Sequence, residues 1–310
     1  MTSAIDAIFD RCRAVPAIAT AVVHPVQANV IRAVAEAHEA GLITPVLVGP
    51  RQRIAAAAAE AGVDISAWEL IPTEHSHAAA EQAVQMAALQ RVGIVMKGSL
   101  HSDELLGAIV HPGSGLRTER RISHAYVMSV ASYGRPFIIT DAAVNIAPDL
   151  TAKADIVQNA VDLWRVVFGC GGELPNVAVL AAVETVNPKM QATLDAAALC
   201  KMADRGQIVG CRIDGPLAFD NAISADAARD KGIVSPVAGQ ADILLVPDIE
   251  AGNMLAKQLT FLGGAEAAAI VLGARVPVVL TSRADSQRTR LLSCALAVLL
   301  AAARSKAQVV

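Results

Sequence analysis

The sequence predicts an α/β protein of two domains, each built on a mostly parallel sheet with helices against it. Three observations carry this reading. Short runs of Val, Ile and Leu alternate with Ala-rich helical stretches over residues 17–98, and again over 151–246. Hydrophobic residues make up 54% of the chain but aromatics only 3%, so the core must be aliphatic, as in buried parallel strands under Ala-rich helices. Glycines such as Gly41 and Gly62 fall where helical stretches end and a left-handed residue is needed. A length of 310 residues fits two such units.

The elements follow in order. Residues 3–14 read as a short amphipathic helix that Pro16 ends, and 17–23 as the first buried strand, with His24-Pro25 turning at its carboxyl end. A helix over 26–40, a strand over 44–48, a helix to Gly62, a short strand over 68–71, a helix over 76–90 and a strand over 92–96 complete the first alternation; Lys97-Gly98 closes it. A helix at 102–109 precedes HPGSGLRTERR, residues 111–121, a loop carrying three arginines. Runs at 125–130 and 137–140, separated by Tyr133-Gly134-Arg135-Pro136, read as a hairpin, and the domain junction is placed near residue 125. The second alternation comprises a helix at 151–168, a strand at 177–183, a helix that Asn187 caps and that runs to Gly206, a strand at 208–213 ending in Asp214-Gly215-Pro216, and a helix at 224–231.

The stretch 241–290 organises the rest. An apolar strand ends in Pro247-Asp248, a turn with Gly252-Asn253 leads into a helix, and a second apolar run at 276–280 empties into Thr281-Ser282-Arg283. Two strands thus discharge at their carboxyl ends into helix-start regions, where α/β proteins bind ligands and helix N-termini hold anions. The same residues also read as two caps and a surface arginine.

Net charge is −3, so nothing points to nucleic acid and any anion site must be local. The apolar run at 291–303 lies between Arg290 and Arg304 and falls short of the roughly 20 residues of a membrane span; it reads as a buried helix. The acidic residues of MTSAIDAIFDRCR are unlike a secretory leader. The five cysteines form no CxxC pair, which fits reduced thiols in a cytoplasmic protein.

Three groups suit anion chemistry. Arg117, beside Arg120 and Arg121, offers the planar donor fork that binds phosphate, although a solvated basic loop reads equally well. Ser282-Arg283 stands at a strand end. Residues 248–253, DIEAGN, precede a helix, where ordinary capping is the plainer account. Lys97 would present an ammonium at the sheet edge. Glu74, His75 and His77 lack metal-ligand spacing, no metal is expected, and Gly169-Cys170-Gly171-Gly172 follows a helix, unlike a dinucleotide loop.

ADILLVPDIEAGNMLAKQLTFLGGAEAAAIVLGARVPVVLTSRADS, residues 241–286, resembles the phosphate acyltransferase family of phosphate acetyltransferases and phosphate butyryltransferases. MKGSLHSDELL (96–106), GLRTERRISHAYVM (115–128), VAVLAAVETVNPKM (177–190) and GCRIDGPLAFDNAIS (210–224) are similar to further blocks of it, so the resemblance covers most of the chain. It implies two α/β/α domains with a cleft between them, like the isocitrate and isopropylmalate dehydrogenases. Residues 1–125 with 280–310 would form domain I, and 126–279 an inserted domain II through which a homodimer forms. It implies reversible transfer of a short acyl group, acetyl or butyryl, between coenzyme A and inorganic phosphate, by direct attack in a ternary complex and without a cofactor. Ser282 and Arg283 match the family's Ser-Arg pair; Arg117 matches its loop arginine. Lys97, Arg120, Asn253 and Arg288 are expected on the substrate side. The family's acidic residue beyond the Ser-Arg pair is replaced by Gln287, Arg288, Thr289 and Arg290, leaving Asp285 as general base or as helix cap, and Arg288 and Arg290 as candidates for the phosphates of coenzyme A. Alternatives are a metal- and NAD-dependent dehydrogenase of the same fold, which would need an aspartate cluster that the sequence does not show, and a non-catalytic acyl-CoA-binding module that lost the base.

Overall fold

The computed structural model describes residues 5–169, 172–281 and 285–308, with side chains to residue 306. Ser282 and Arg283, and Cys170 with Gly171, lie outside the described residues. The chain divides into a terminal unit, residues 6–120 and 268–308, and an inserted unit, residues 121–267 with Ile5. The divisions at 120/121 and 267/268 fall earlier than the expected 125 and 279.

The terminal unit begins with α1 (Asp6–Cys12), β1 (Ile18–Val23), α2 (Ala28–Glu39), β2 (Ile43–Gly49), α3 (Arg51–Ala61), β3 (Glu69–Pro72), α4 (Ser76–Ala88), β4 (Ile94–Lys97) and α5 (Ser102–Val110). The expected alternation of strands and helices is present throughout. The inserted unit holds β5 (Ser123–Ser129), β6 (Pro136–Thr140), α6 (Leu150–Val167), β7 (Asn176–Leu180), α7 (Gln191–Asp204), β8 (Arg212–Leu217), α8 (Phe219–Ile223), α9 (Ala225–Asp230), β9 (Ile243–Leu245) and α10 (Ile249–Phe261). The chain returns to the terminal unit through β10 (Glu266–Leu272), β11 (Val278–Val279) and α11 (Gln287–Gln308).

In the terminal unit the strand order is β3-β2-β1-β4-β11-β10. β2, β3 and β4 join the ladder in parallel, as does β11 beside β4; β10 is antiparallel to β11. From β1 the chain winds outward to β2 and β3, then crosses back to β4 on the other side of β1. The winding therefore reverses between β1 and β4, and their carboxyl ends diverge there. Val22, Leu47 and Val95 are wholly buried in this sheet, as are Ile31, Ala79 and Leu296 on the helices above it. α11 is the buried apolar helix expected near residues 291–303.

The inserted unit orders its strands β5-β6-β9-β7-β8. β5 and β6 form the expected antiparallel hairpin, and the remaining pairs are parallel. Met128, Ile139, Ala178, Leu244 and Val246 form its core. α6 is joined to α7 by a buried ion pair in which Lys153 Nζ lies 2.6 Å from Asp195 Oδ2.

Several local expectations are corrected. Asn187 does not cap α7: its Oδ1 accepts from Lys189 N–H at 2.9 Å, and the helix begins one turn later, with Met190 at the cap position. Asp214-Gly215-Pro216 does not end the strand expected at 208–213 but lies within β8, an edge strand beside a register shift at Ala178/Leu180, where a residue without an N–H is tolerated. The helix expected at 224–231 is α9, which Ser224 caps by accepting from Ala227 N–H; the short helix α8 before it was not expected. Gly252 sits inside α10, which Asp248 caps. A Cβ at Gly252 would meet Val246 Cγ2 at 2.7 Å and Asp141 O at 2.9 Å, so close packing, not a turn, requires glycine there. β10 had no counterpart in the sequence reading.

Candidate active site

The reversal between β1 and β4 leaves a small recess at the carboxyl edge of the terminal sheet. Its walls are Gln27, Asn29, Val30 and Ala33 from the start of α2, Met96, Lys97 and Gly98 from the end of β4, Thr281 after β11, and Arg290 from α11. Four elements contribute because four elements converge on one strand edge. Two cationic side chains, Lys97 and Arg290, share this space with the amino-terminal turn of a 12-residue helix. Gln27 stands at the cap position of α2 without a side-chain bond to the first turn. The partial positive charge at the helix start adds to that of the two cations, which makes the recess suited to an anion of phosphate character.

The geometry at the back of the recess is tight. Gly98 N–H donates to Val23 O at 2.9 Å, and a Cβ at Gly98 would stand 2.2 Å from that oxygen. The recess is therefore backed at this point by bare backbone.

The structure brings Lys97 into this recess together with Arg290, and Thr281, which leads directly into Ser282-Arg283. Arg117 belongs to the same unit and is exposed; it bridges Ala274, while Leu116 O accepts from Arg275 N–H and Thr118 Oγ1 donates to Gly273 O at 2.6 Å. The arginine loop is thus pinned to residues 273–275, with Arg120 exposed beside it. Arg121 lies beyond the division: its Nε donates to Asn145 Oδ1 at 2.6 Å. Arg288 is ion-paired with Asp6, so from the first turn of α11 it is Arg290 that lines the recess. Asp285 is partly buried, and the cap of α11 is Ser286, whose Oγ accepts from Thr289 N–H at 3.1 Å. Asn253 is in the inserted unit, where its Nδ2 donates to Ala142 O at 3.2 Å.

Other candidates are accounted for. His75 caps α4 by accepting from Ala78 N–H, and His77, whose ring packs edge-on against that of His75, lies 2.7 Å from Glu104. Among the described residues no group of His, Cys, Asp and Glu side chains has metal-ligand geometry. Burial pushes the thiols of Cys12 and Cys211 up to about 11, and those of Cys200 and Cys294 to about 12, so none of these four is a thiolate near neutral pH.

Two features escaped the sequence. His24 was read as a simple turn. It is 6% exposed, holds a positive φ of 54°, and its Nε2 is buried with no hydrogen-bond partner. The second is the nest around Asp141, which is 2% exposed and accepts from the backbone N–H groups of Ala143, Val144 and Asn145 and from Asn145 Nδ2. An Asp shortly before an Asn at a strand end was the available signal in the sequence.

Residues 78–298 match the family described as Phosphate acetyl/butaryl transferase. The phosphate acetyltransferase of Rhizobium meliloti is 57% identical over 307 residues, which is 99% of this chain and 96% of that protein. A branched-chain phosphotransacylase from Enterococcus faecalis V583 superposes with a TM-score of 0.79 at 29% identity, over 92% of this chain and 99% of that one. A 4-hydroxythreonine-4-phosphate dehydrogenase from Klebsiella pneumoniae, at 13% identity and a TM-score of 0.54 over 92% of this chain and 99% of that one, shares the fold. A family match across most of the chain and a close relative along nearly its whole length agree, and the chain belongs to the phosphate acetyl/butyryl transferase family.

Proposed function

We propose that the recess of the terminal unit is the anion-binding part of an acyltransferase site that moves a short acyl group, acetyl or butyryl, reversibly between coenzyme A and inorganic phosphate. The observation that carries this assignment of the site is the convergence of Lys97, Thr281, Arg290 and the α2 amino terminus at the switch point. In the reaction a phosphate oxygen attacks the thioester carbonyl carbon. The C–O bond forms, the C–S bond breaks, and the thiolate leaves and takes up a proton. No electrons are exchanged with a third partner, and the proposal needs no cofactor.

The difficulty of the step is bringing a multiply charged anion against a second anionic substrate. Fixed cations and helix N–H groups offset that repulsion without reorganising during the reaction. Holding the two substrates in line supplies much of the remaining acceleration. We assign Arg283 and Arg117 to clamping phosphate, with Lys97 and Arg120 on the same substrate. Ser282 donates to the developing oxyanion or to the sulfur, and Asp285 exchanges the thiol proton. Arg288 would leave Asp6 if it were to reach substrate, so Arg290 takes the role proposed for the basic pair on α11.

A homodimer formed through the inserted unit and a cytoplasmic location belong to the same proposal. Met254, Phe261 and Leu262 leave apolar surface exposed along one side of α10, which supports the first. The free state of the four described cysteines supports the second. Incubation with phosphate and acetyl-CoA or butyryl-CoA, following free thiol, tests the activity. Thiol release that requires phosphate is expected with at least one of them, and none with either rejects the function. A mass measurement in solution that returns a monomer removes the dimer.

A further inference from the structure

The end of β1 holds a residue that the chemistry above does not use. His24 keeps a left-handed backbone, which is uncommon outside glycine although Asn, Asp and His adopt it more readily than other residues, and which its surroundings here hold in place. Those surroundings are explicit. His24 N–H donates to Val48 O at 2.7 Å, which ties it to the end of β2. Its carbonyl accepts from Val26 N–H and from Ser99 N–H, both at 2.9 Å. The first bond turns the chain into α2, and the second holds the segment just after β4. The side chain repeats the second link: Nδ1 lies 3.4 Å from Ser99 O, and since a carbonyl only accepts, Nδ1 carries the proton.

Gln27 and Asn29 of one wall, and Lys97 and Gly98 of the other, are the residues on either side of these bonds. We infer that His24 is a positioning residue for phosphate: its backbone and imidazole together fix the spacing between the α2 amino terminus and Lys97, the two walls of the recess. The ring is held neutral by burial, with Arg53 pulling in the same direction and the Ser99 bond and Glu104 opposing it. Nε2 then keeps a lone pair rather than a buried proton without a partner. His24 touches no substrate in this scheme; it acts through Lys97 and the start of α2.

The inference rests on the assignment of the recess to phosphate, and three variants separate the two. Lys97→Ala tests the assignment: an unchanged KM for phosphate rejects it, whatever His24 does. His24→Gly keeps the left-handed backbone accessible and removes the ring. It should raise the KM for phosphate roughly tenfold, the order expected when a positioning bond is lost, while leaving kcat and the KM for acyl-CoA within about twofold. His24→Asn tolerates the same backbone, and its amide nitrogen stands where Nδ1 stands, so it should restore the phosphate KM to within about twofold of the parent. A His24→Gly protein that melts lower but keeps its phosphate KM overturns the inference, because His24 would then only stabilise the fold. So does a His24→Asn protein no better than His24→Gly.

Discussion

The two units end their sheets in different ways. In the terminal unit the polar groups at the carboxyl edge, Lys97 and Arg290, line an open recess. In the inserted unit the corresponding end of β6 is closed: Asp141 is buried and takes four N–H donors, and the amide of Asn145 also donates to Ile122 O at 2.9 Å. Beside it His124 is 1% exposed and packs edge-on against Tyr126. Both edges concentrate polar groups where strands stop and backbone amides point outward. At β6 the backbone N–H groups converge on a buried carboxylate, which closes the edge; at the other edge the two cationic side chains line a recess.

That contrast can be broken from either side. The largest effect is expected at the closed edge. Asp141→Ala leaves several buried N–H groups without an acceptor and should cost about 3–5 kcal/mol, read as a drop in the urea midpoint. A loss below 1 kcal/mol would mean that the nest is not structural. His124 comes next. Complete burial lowers its pKa to about 4, against the upward pull of Asp141. With the folded value below the unfolded value near 6.5, its contribution to stability is present above pH 6.5 and is lost as the pH falls toward 4. The loss across that window should be roughly 3 kcal/mol, and His124→Phe, which keeps a ring but cannot titrate, should flatten that part of the urea-midpoint profile. At the open edge the order of effects inverts. Arg290→Ala should change stability by less than about 0.5 kcal/mol yet raise the KM for phosphate or acyl-CoA about tenfold. If both constants stay put, the recess is not where the substrate charge goes. The smallest effect belongs to Arg288→Ala. Its pair with Asp6 is partly exposed, so the stability change should stay under about 1 kcal/mol and initial rates should match the parent. A rise in the KM for acyl-CoA would return Arg288 to the substrate side.

The architecture was legible because its signals are local. Aliphatic runs, helical stretches and terminal glycines repeat along the chain, and each marks its element without reference to any other. The errors share a cause. Asn187, Gly252 and Pro216 carry strong local preferences, yet an Asx turn, a close helix contact and an edge-strand position decided what each does. Within the candidate site, Lys97 was visible as a cation closing a strand, and Arg290 as one of two basic residues on the same helix turn. Which of that pair lines the recess was not legible, because it depends on Asp6, 282 positions away. His24 was hidden for the same reason. Its φ is imposed by partners at Val48 and Ser99, and no spacing in the sequence encodes them.

Gly98 carries one more consequence, for variation. A methyl group at that position would run into the Val23 carbonyl, so the rear of the recess cannot be rebuilt by substitution without moving two central strands. Change in what the recess accepts has to enter through its sides. Val30, Ala33 and Met96 are the apolar positions there, and they sit on a helix and a strand that can exchange side chains without exchanging backbone. A library confined to those three positions would explore ligand preference while leaving Lys97 and Arg290 in place.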